Sequence, residues 1–344
     1  MKIDPLTASA GLSPKDFASD QEVRWCPGCG DYAILRAVQK TLADVGARKE
    51  NTVFISGIGC ASRFPYYVST YGFHTIHGRA PAVATGVKLA NPELDVWVVS
   101  GDGDALSIGG NHLLHVLRRN VDIQFLLFNN EIYGLTKGQY SPTSRAGTRS
   151  PSSPMGSFER PVSGTRFALG ARGRFVARSV DSMQKHLPEI LARAHAFEGA
   201  SFVEIFQNCI VYNDGAFADV TDRDTGADHQ ILVEHGKPLL FGKENRKGLR
   251  LNQKTLRLEV VALGEDGITE DDIAIHDETN LSLAELLAGM ERPEFPVAFG
   301  VLYCNPYPSF ESDVERLTEQ ASADRGTEDL NALLRQGHTW TVES

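Results

Sequence analysis

Continuous apolar runs and amphipathic stretches alternate along the first two-thirds of the chain. Thr52–Ser56, residues 96–100 and residues 123–128 are runs of strand length, bounded by glycine or polar positions. Such runs suit strands buried on both faces. Over 31–45, Ile34, Leu35, Val38, Leu42 and Val45 recur at helical spacing, with Asp31 where an N-cap would stand. Ala80–Ala90 reads as a helix of small residues, and 108–119 as another. Farther on, 174–180 and 202–207 read as strands around a helix over 183–197, and 282–290 predicts one more helix.

Strands alternating with helices imply an α/β fold. Its parallel sheet carries helices on both faces through right-handed crossovers. Ligands on such sheets bind at the carboxyl ends of the strands. Residues 57–63, 101–104 and 129–137 all fall just past strand ends, so three ends point at one place. The stretch 140–164, rich in Ser, Pro, Gly and Arg, is expected to be a lid or a loop ordered by a partner. The division expected is an N-terminal arm (1–25), an α/β domain (26–215) and a C-terminal extension (216–344) appended to it. No internal repeat is visible.

Composition narrows the class. The 344 residues leave room for one large domain or two smaller ones, with a sizeable core. A net charge of −10 argues against a general nucleic-acid binder. There is no apolar run long enough for a membrane span, and the N-terminus lacks a secretory apolar segment, so a cytoplasmic protein is expected. The five cysteines then read as thiols, metal ligands or catalytic groups rather than a disulfide framework.

Gly101-Asp102-Gly103-Asp104 follows a buried run, and Asn130 follows the next one. One helix and one strand separate Asp102 from Asn130, which places both at neighbouring strand ends. An Asp carboxylate and an Asn carbonyl are hard oxygen ligands of the kind magnesium takes, with phosphate oxygens completing its shell. The backbone carbonyl of Ile132 is a further candidate ligand. Gly101 and Gly103 let the backbone approach a phosphate, and the helix after them offers its N-terminal amides. A Gly-Asp turn alone is common; Asn130 at this spacing, followed by Tyr133-Gly134, favours a diphosphate–magnesium site.

Cys26 and Cys29 form a Cys-x-x-Cys pair, while Cys60 and Cys209 stand alone past two strand ends. Four thiolates suit a structural zinc or a [4Fe–4S] cluster, and buried free thiols are the bland alternative. Zinc ribbons usually show two close pairs; one pair with two distant singles is closer to a cluster built across a fold. Cys304, in an apolar run, reads as a core thiol.

The string Asn129-Asn130-Glu131-Ile132-Tyr133-Gly134-Leu135-Thr136-Lys137-Gly138-Gln139 is similar to the β subunit of 2-oxoacid:ferredoxin oxidoreductases, most of all its 2-oxoglutarate members. So are Cys26-Pro27-Gly28-Cys29-Gly30-Asp31, Gly57-Ile58-Gly59-Cys60 and His77-Gly78-Arg79-Ala80. The Gly-Asp-Gly to Asn pattern also resembles the diphosphate-binding module of thiamine-diphosphate enzymes. The likeness covers about 20–215 and weakens beyond.

The resemblance implies thiamine diphosphate held through Mg2+ by Asp102, Asn130 and Ile132. It implies cofactor contacts from Ile58, Gly59, Cys60 and Ala61, from His77 and Gly78, from Gly103, Asp104 and Asn130, and from Gly134, Leu135 and Thr136. It implies a [4Fe–4S] cluster on Cys26, Cys29, Cys60 and Cys209. The cofactor serves as an electron sink while carbon dioxide leaves, the cluster takes the electrons singly, and coenzyme A collects the acyl group. No ferredoxin-type cysteine run is present, so electrons leave to ferredoxin or through another subunit. The carboxylate that activates the cofactor's aminopyrimidine ring is expected on a separate α subunit, in an (αβ)2 assembly.

A dicarboxylate such as 2-oxoglutarate needs a cation for its distal carboxylate. Arg63 and then Lys137 are the candidates, with solvated loop cations as the alternative; His77 is a candidate catalytic contact. The cluster Lys243, Arg246, Lys247, Arg250, Lys254 and Arg257 reads as a solvated face, or as a dock for an acidic ferredoxin. The rival functions are the same chemistry on pyruvate, a non-redox thiamine-diphosphate decarboxylase or synthase, and a zinc-stabilised nucleotide-binding scaffold.

Overall fold

The computed structural model describes residues 11–325 and 329–343. Its strands are β1 (Thr52–Ser56), β2 (Tyr71–His74), β3 (Asp95–Gly101), β4 (Gln124–Asn129), β5 (Phe175–Val180), β6 (Ser201–Phe206), β7 (Gln230–Val233), β8 (Leu240–Phe241), β9 (Lys247–Asn252), β10 (Arg257–Ala262) and β11 (Val297–Cys304). The main sheet has the order β2-β1-β3-β4-β6-β5-β11-β7. The first six of these run parallel. β11 joins β5 antiparallel and pairs β7 parallel.

Alternation along the strands builds two cores. Val53, Ile55, Val96, Val98, Phe125 and Leu127 face one side, against α2 (Ala80–Ala90), α4 (Gly110–Arg119) and α8 (Leu281–Ala288). Phe54, Trp97, Val99, Leu126 and Phe128 face the other, against α1 (Asp31–Asp44) and α6 (His186–Ala196). Burial on both faces explains why the strands read as unbroken apolar runs. The short helices α3 (Asp102–Leu106), α5 (Gly164–Gly170) and α7 (Ala218–Thr221) fill strand ends and connections, and α9 (Phe310–Arg325) and α10 (Leu330–Leu334) close the chain.

Three details differ from the sequence reading. Asp31 is not the N-cap of α1; Gly30 is, and Asp31 is the first helical residue with a buried side chain. Within 1–25, residues 1–10 lie outside the described residues; the rest of the arm holds a single helical turn, Pro14–Phe17, whose Phe17 is buried. The C-terminal stretch is woven into the fold rather than hung on it. β7 and β11 extend the main sheet, and Leu239, Phe241, Leu249, Leu258 and Ile273 share the core of the α2–α4 face. The 140–164 stretch forms turns without a helix or strand of its own until α5 begins at Gly164.

Candidate active site at the strand ends

β1, β3 and β4 are adjacent, so their carboxyl ends bring the three expected segments together. Asp102 opens α3 directly after β3 and is 2 % exposed. Both the Ser141 and Thr143 hydroxyls donate to its Oδ2 at 2.5 Å. Burial nevertheless pushes its carboxyl up to about 6. A carboxylate held dry among hydroxyls, one strand from an Asn carbonyl, is a donor set that a hard divalent cation satisfies. Asn130, past β4, accepts from the Ile132 amide through Oδ1 at 3.1 Å, which curls the chain back beneath it. The donors expected for magnesium therefore occupy neighbouring strand ends.

Gly103 is where backbone room matters. The Tyr133 ring lies on it so closely that a Cβ would sit 2.0 Å from a ring carbon, and the Tyr133 hydroxyl donates to the Gly103 carbonyl at 3.0 Å. Any side chain at 103 would drive the β4 loop off the β3 turn. Asp104 spends its carboxylate inside the protein: the Gly78 amide donates to it at 2.7 Å and the Ser100 hydroxyl at 2.6 Å. Asp104 thus fastens the His77-Gly78 turn to the site. His77 itself is exposed, as are Leu135, Thr136 and Lys137. Arg63 is exposed as well, on the turn Ala61–Tyr66, with its Nε donating to the Tyr67 hydroxyl at 3.0 Å.

The four cysteines expected as ligands converge beside this site. A Cβ on Gly134 would lie 3.6 Å from the Cys209 sulfur and 3.7 Å from the Cys60 sulfur, so both thiols lie beside the loop that follows Asn130. Cys60 is pinned by the Trp25 indole, which donates to its carbonyl at 2.7 Å. The Cys26–Cys29 turn is tied to the end of β6, where the Gly30 amide donates to the Asn208 carbonyl at 3.1 Å. Burial, Asp31 and the neighbouring thiols Cys209 and Cys26 push the Cys60 thiol up to about 11. Cys29 is raised for the same reasons, burial first and then Asp31. Thiols packed this closely resist ionising together until a soft cationic group neutralises them, and four sulfurs are the donor set of such a group. Among the described residues no three His, Cys, Asp or Glu side chains are already arranged to hold a single metal ion. Cys304 lies apart, at the end of β11.

Sequence reasoning missed three groups. Gln207, 1 % exposed, accepts from Asn130 Nδ2 at 2.7 Å and donates to the Cys29 sulfur at 3.2 Å. Asn129, Glu204 and Arg178 form a buried polar chain behind Asp102. Arg292, from the C-terminal stretch, pairs with Asp219 at 2.8 Å and reaches the buried Glu131 at 3.4 Å. Apart from Asn129, which opens the string 129–139, none of the missed residues sits in a motif, and their contacts are visible only once strands distant in sequence pair. In the basic cluster, Lys247, Arg246 and Arg250 pair with Asp228, Glu244 and Glu259, and the small sheet β10-β9-β8 meets β7 through β8, at the opposite edge of the main sheet from β2. That arrangement fits a solvated, self-neutralised face.

The fold and the strand-end site define a thiamine-diphosphate enzyme: residues 57–205 match the family described as thiamine pyrophosphate enzyme, C-terminal TPP binding domain. The chain is 47 % identical over 350 residues to the 2-oxoglutarate oxidoreductase subunit KorB of Mycobacterium tuberculosis, covering 98 % of this chain and 92 % of that one. It is 46 % identical over 190 residues to the β subunit of 2-oxoacid:ferredoxin oxidoreductase 1 of Aeropyrum pernix, covering 55 % and 60 %. Its structure superposes with a TM-score of 0.76, at 32 % identity over 96 % of this chain and 97 % of the other, on a 2-oxoglutarate:ferredoxin oxidoreductase from Magnetococcus marinus with 2-oxoglutarate, coenzyme A and succinyl-CoA bound. The chain belongs to the β-subunit family of the 2-oxoacid:ferredoxin oxidoreductases. No helix among the described residues is long and apolar enough to cross a membrane.

Proposed function

We propose that this chain is the thiamine-diphosphate- and cluster-bearing β subunit of a cytoplasmic 2-oxoglutarate:ferredoxin oxidoreductase. The overall reaction converts 2-oxoglutarate and coenzyme A to succinyl-CoA, carbon dioxide and a proton, and passes two electrons to ferredoxin. It runs in reverse as reductive carboxylation with a low-potential donor. The observation that carries this reading is the Gly134 loop, which has the Cys60 and Cys209 sulfurs beside it and follows directly on the Asn130 turn. A redox group and a carbanion-stabilising cofactor need to lie this close for electrons to pass between them.

Thiamine diphosphate, when bound, supplies the electron sink for decarboxylation. The residues do the rest. Asp102, Asn130 and the Ile132 carbonyl hold Mg2+; Gly103, Gly134, Leu135 and Thr136 offer the diphosphate their backbone amides. Residues 58–61, with His77 and Gly78, flank the cofactor, and Asp104 fixes their turns. Cys26, Cys29, Cys60 and Cys209 ligate the cluster. Arg63 and Lys137 face the distal carboxylate of the substrate, and their exposure here is what a site completed by another subunit requires. Tyr71, Phe73, Ile76 and Ile108, each 49–65 % exposed around the β2 edge and the Gly78 turn, supply an apolar surface for that α subunit. The names of the relatives favour 2-oxoglutarate over pyruvate.

The test is iron and acid-labile sulfide analysis of the chain purified anaerobically with its α subunit, followed by visible absorption on adding substrate. About four irons and four sulfides per chain, bleached by 2-oxoglutarate plus coenzyme A, is the expected result. Bleaching by pyruvate alone rejects the substrate. Zinc without sulfide rejects electron transfer altogether.

A further inference from the structure

The side chain of Gln207 touches a ligand expected for each cofactor. Its Oε1 accepts from Asn130 Nδ2 at 2.7 Å. Its Nε2 donates to the Cys29 sulfur at 3.2 Å and to the Asn208 carbonyl at 2.6 Å. Its backbone amide donates to the Asn129 carbonyl at 2.9 Å, which registers the end of β6 against the end of β4. The carbonyl oxygen and the amide nitrogen are thus both engaged, and the side chain is 1 % exposed, so it has no freedom to turn without breaking bonds it cannot recover from water.

We propose that Gln207 is a positioning residue that couples the diphosphate–magnesium site to the iron–sulfur site. This rests on the reading that Asn130 and Cys29 are ligands of those two groups. The physical route is short. A cation on Asn130 Oδ1 polarises the amide and makes Nδ2 a stronger donor to Gln207 Oε1. The Gln207 amide is polarised in turn, and its N–H becomes a stronger donor to the Cys29 sulfur. A hydrogen bond to a ligating sulfur offsets negative charge and therefore favours the reduced cluster. Binding of thiamine diphosphate and Mg2+ then raises the cluster's reduction potential. The cluster accepts electrons more readily when the group that delivers them is in place.

Two substitutions separate the two ends of the bridge. Gln207→Glu keeps an acceptor for Asn130 but offers the sulfur no N–H; Gln207→Met keeps the volume and removes both contacts. The measurement is the midpoint potential of the cluster, by redox titration with EPR detection, in the anaerobic αβ complex with and without thiamine diphosphate and Mg2+. Calorimetry measures the binding of the cofactor in parallel.

The wild type is expected to move to a higher potential on binding. Both variants are expected to start lower, with reduction disfavoured about tenfold, which is about 59 mV for one electron. The potential of Gln207→Met should no longer respond to cofactor binding. Gln207→Glu should leave cofactor affinity within about threefold of wild type, because the Asn130 contact survives, while Gln207→Met weakens it further. A cluster-loaded variant with the wild-type potential and the wild-type response overturns the coupling and leaves the proposed function standing. A wild-type complex without iron and sulfide removes both.

Discussion

The Arg178 guanidinium holds the Glu204 carboxylate at 2.7 Å inside the sheet, where the two residues are register partners on β5 and β6. Both are nearly inaccessible to solvent. The pair does not end there. Glu204 Oε1 accepts from Asn129 Nδ2 at 2.9 Å, Asn129 Oδ1 lies 3.0 Å from the Thr143 hydroxyl, and Thr143 contacts Asp102 at 2.5 Å. Arg178 also donates to Thr165 at 2.6 Å. A buried ion pair is a poor source of net stability, but as the anchor of a polar chain it fixes where Asp102 points.

Removing one member of that pair leaves a charge stranded in the sheet. Glu204→Gln or Arg178→Met should lower unfolding stability by about 3–5 kcal/mol, whereas Arg178→Met with Glu204→Met should recover much of the loss. Denaturant titration of the three variants checks this. If the double variant is no more stable than the singles, the cost comes from packing and not from the stranded charge.

Asp102 makes a pH prediction. Its carboxyl is raised from 3.8 to about 6 by burial, so in the metal-free protein its protonated form is favoured on folding. Its stabilising contribution is complete below about pH 4 and is lost as pH rises through about 6. Relative to Asp102→Asn, the wild type in chelator should lose about 2–3 kcal/mol across that window. Mg2+ with thiamine diphosphate should abolish the difference, because the cation then holds the ionised form. Thermal melts of both proteins at pH 4.5 and 7.5 measure it; parallel pH profiles would count against Asp102 as the buried titrating ligand.

The cysteines divide cleanly. Cys29→Ser and Cys60→Ser should abolish the bound iron and sulfide, since hard serine oxygens replace soft ligands at the Gly134 loop. Cys304→Ser should keep both, because Cys304 caps β11 away from the other thiols. Metal analysis of the three purified complexes decides it, and iron loss in the Cys304 variant would move the cluster elsewhere.

How legible this was depended on sequence distance. Strands β1, β3 and β4 were readable because burial on both faces writes unbroken apolar runs, and the site residues sit directly after them. The Cys-x-x-Cys turn was readable from spacing alone. Gln207 was not, since nothing local marks a glutamine at a strand end as a bridge; its role needs Cys29 and Asn130 brought together by β6 and β4. β7 and β11 were hidden for a similar reason. A hairpin and α8 intervene between them, so the chain looked like an appendage while its strands were completing the sheet. Asp31 misled because the local cap signal is right for a helix start, yet Gly30 takes the cap position and Asp31 is buried under it.

Arg63 is the first candidate to read the distal carboxylate of the substrate. Its guanidinium is exposed, its Nε is engaged by the Tyr67 hydroxyl, and its turn begins directly after Cys60. A guanidinium oriented this way can take a carboxylate with its remaining N–H groups. Pyruvate has no distal carboxylate, so the loss of Arg63 should matter only for the longer substrate. Arg63→Ala should raise KM for 2-oxoglutarate about 10- to 100-fold, the value of one charge-assisted hydrogen bond of about 1.5–3 kcal/mol, with kcat nearly unchanged. Any turnover of pyruvate should change by no more than about twofold. Lys137→Ala provides the comparison, because its position on the exposed loop after Gly134 makes it the alternative cation. If Lys137→Ala produces the KM rise and Arg63→Ala does not, the distal carboxylate is read from the β4 loop. If neither does, the cation that selects 2-oxoglutarate is supplied by the α subunit.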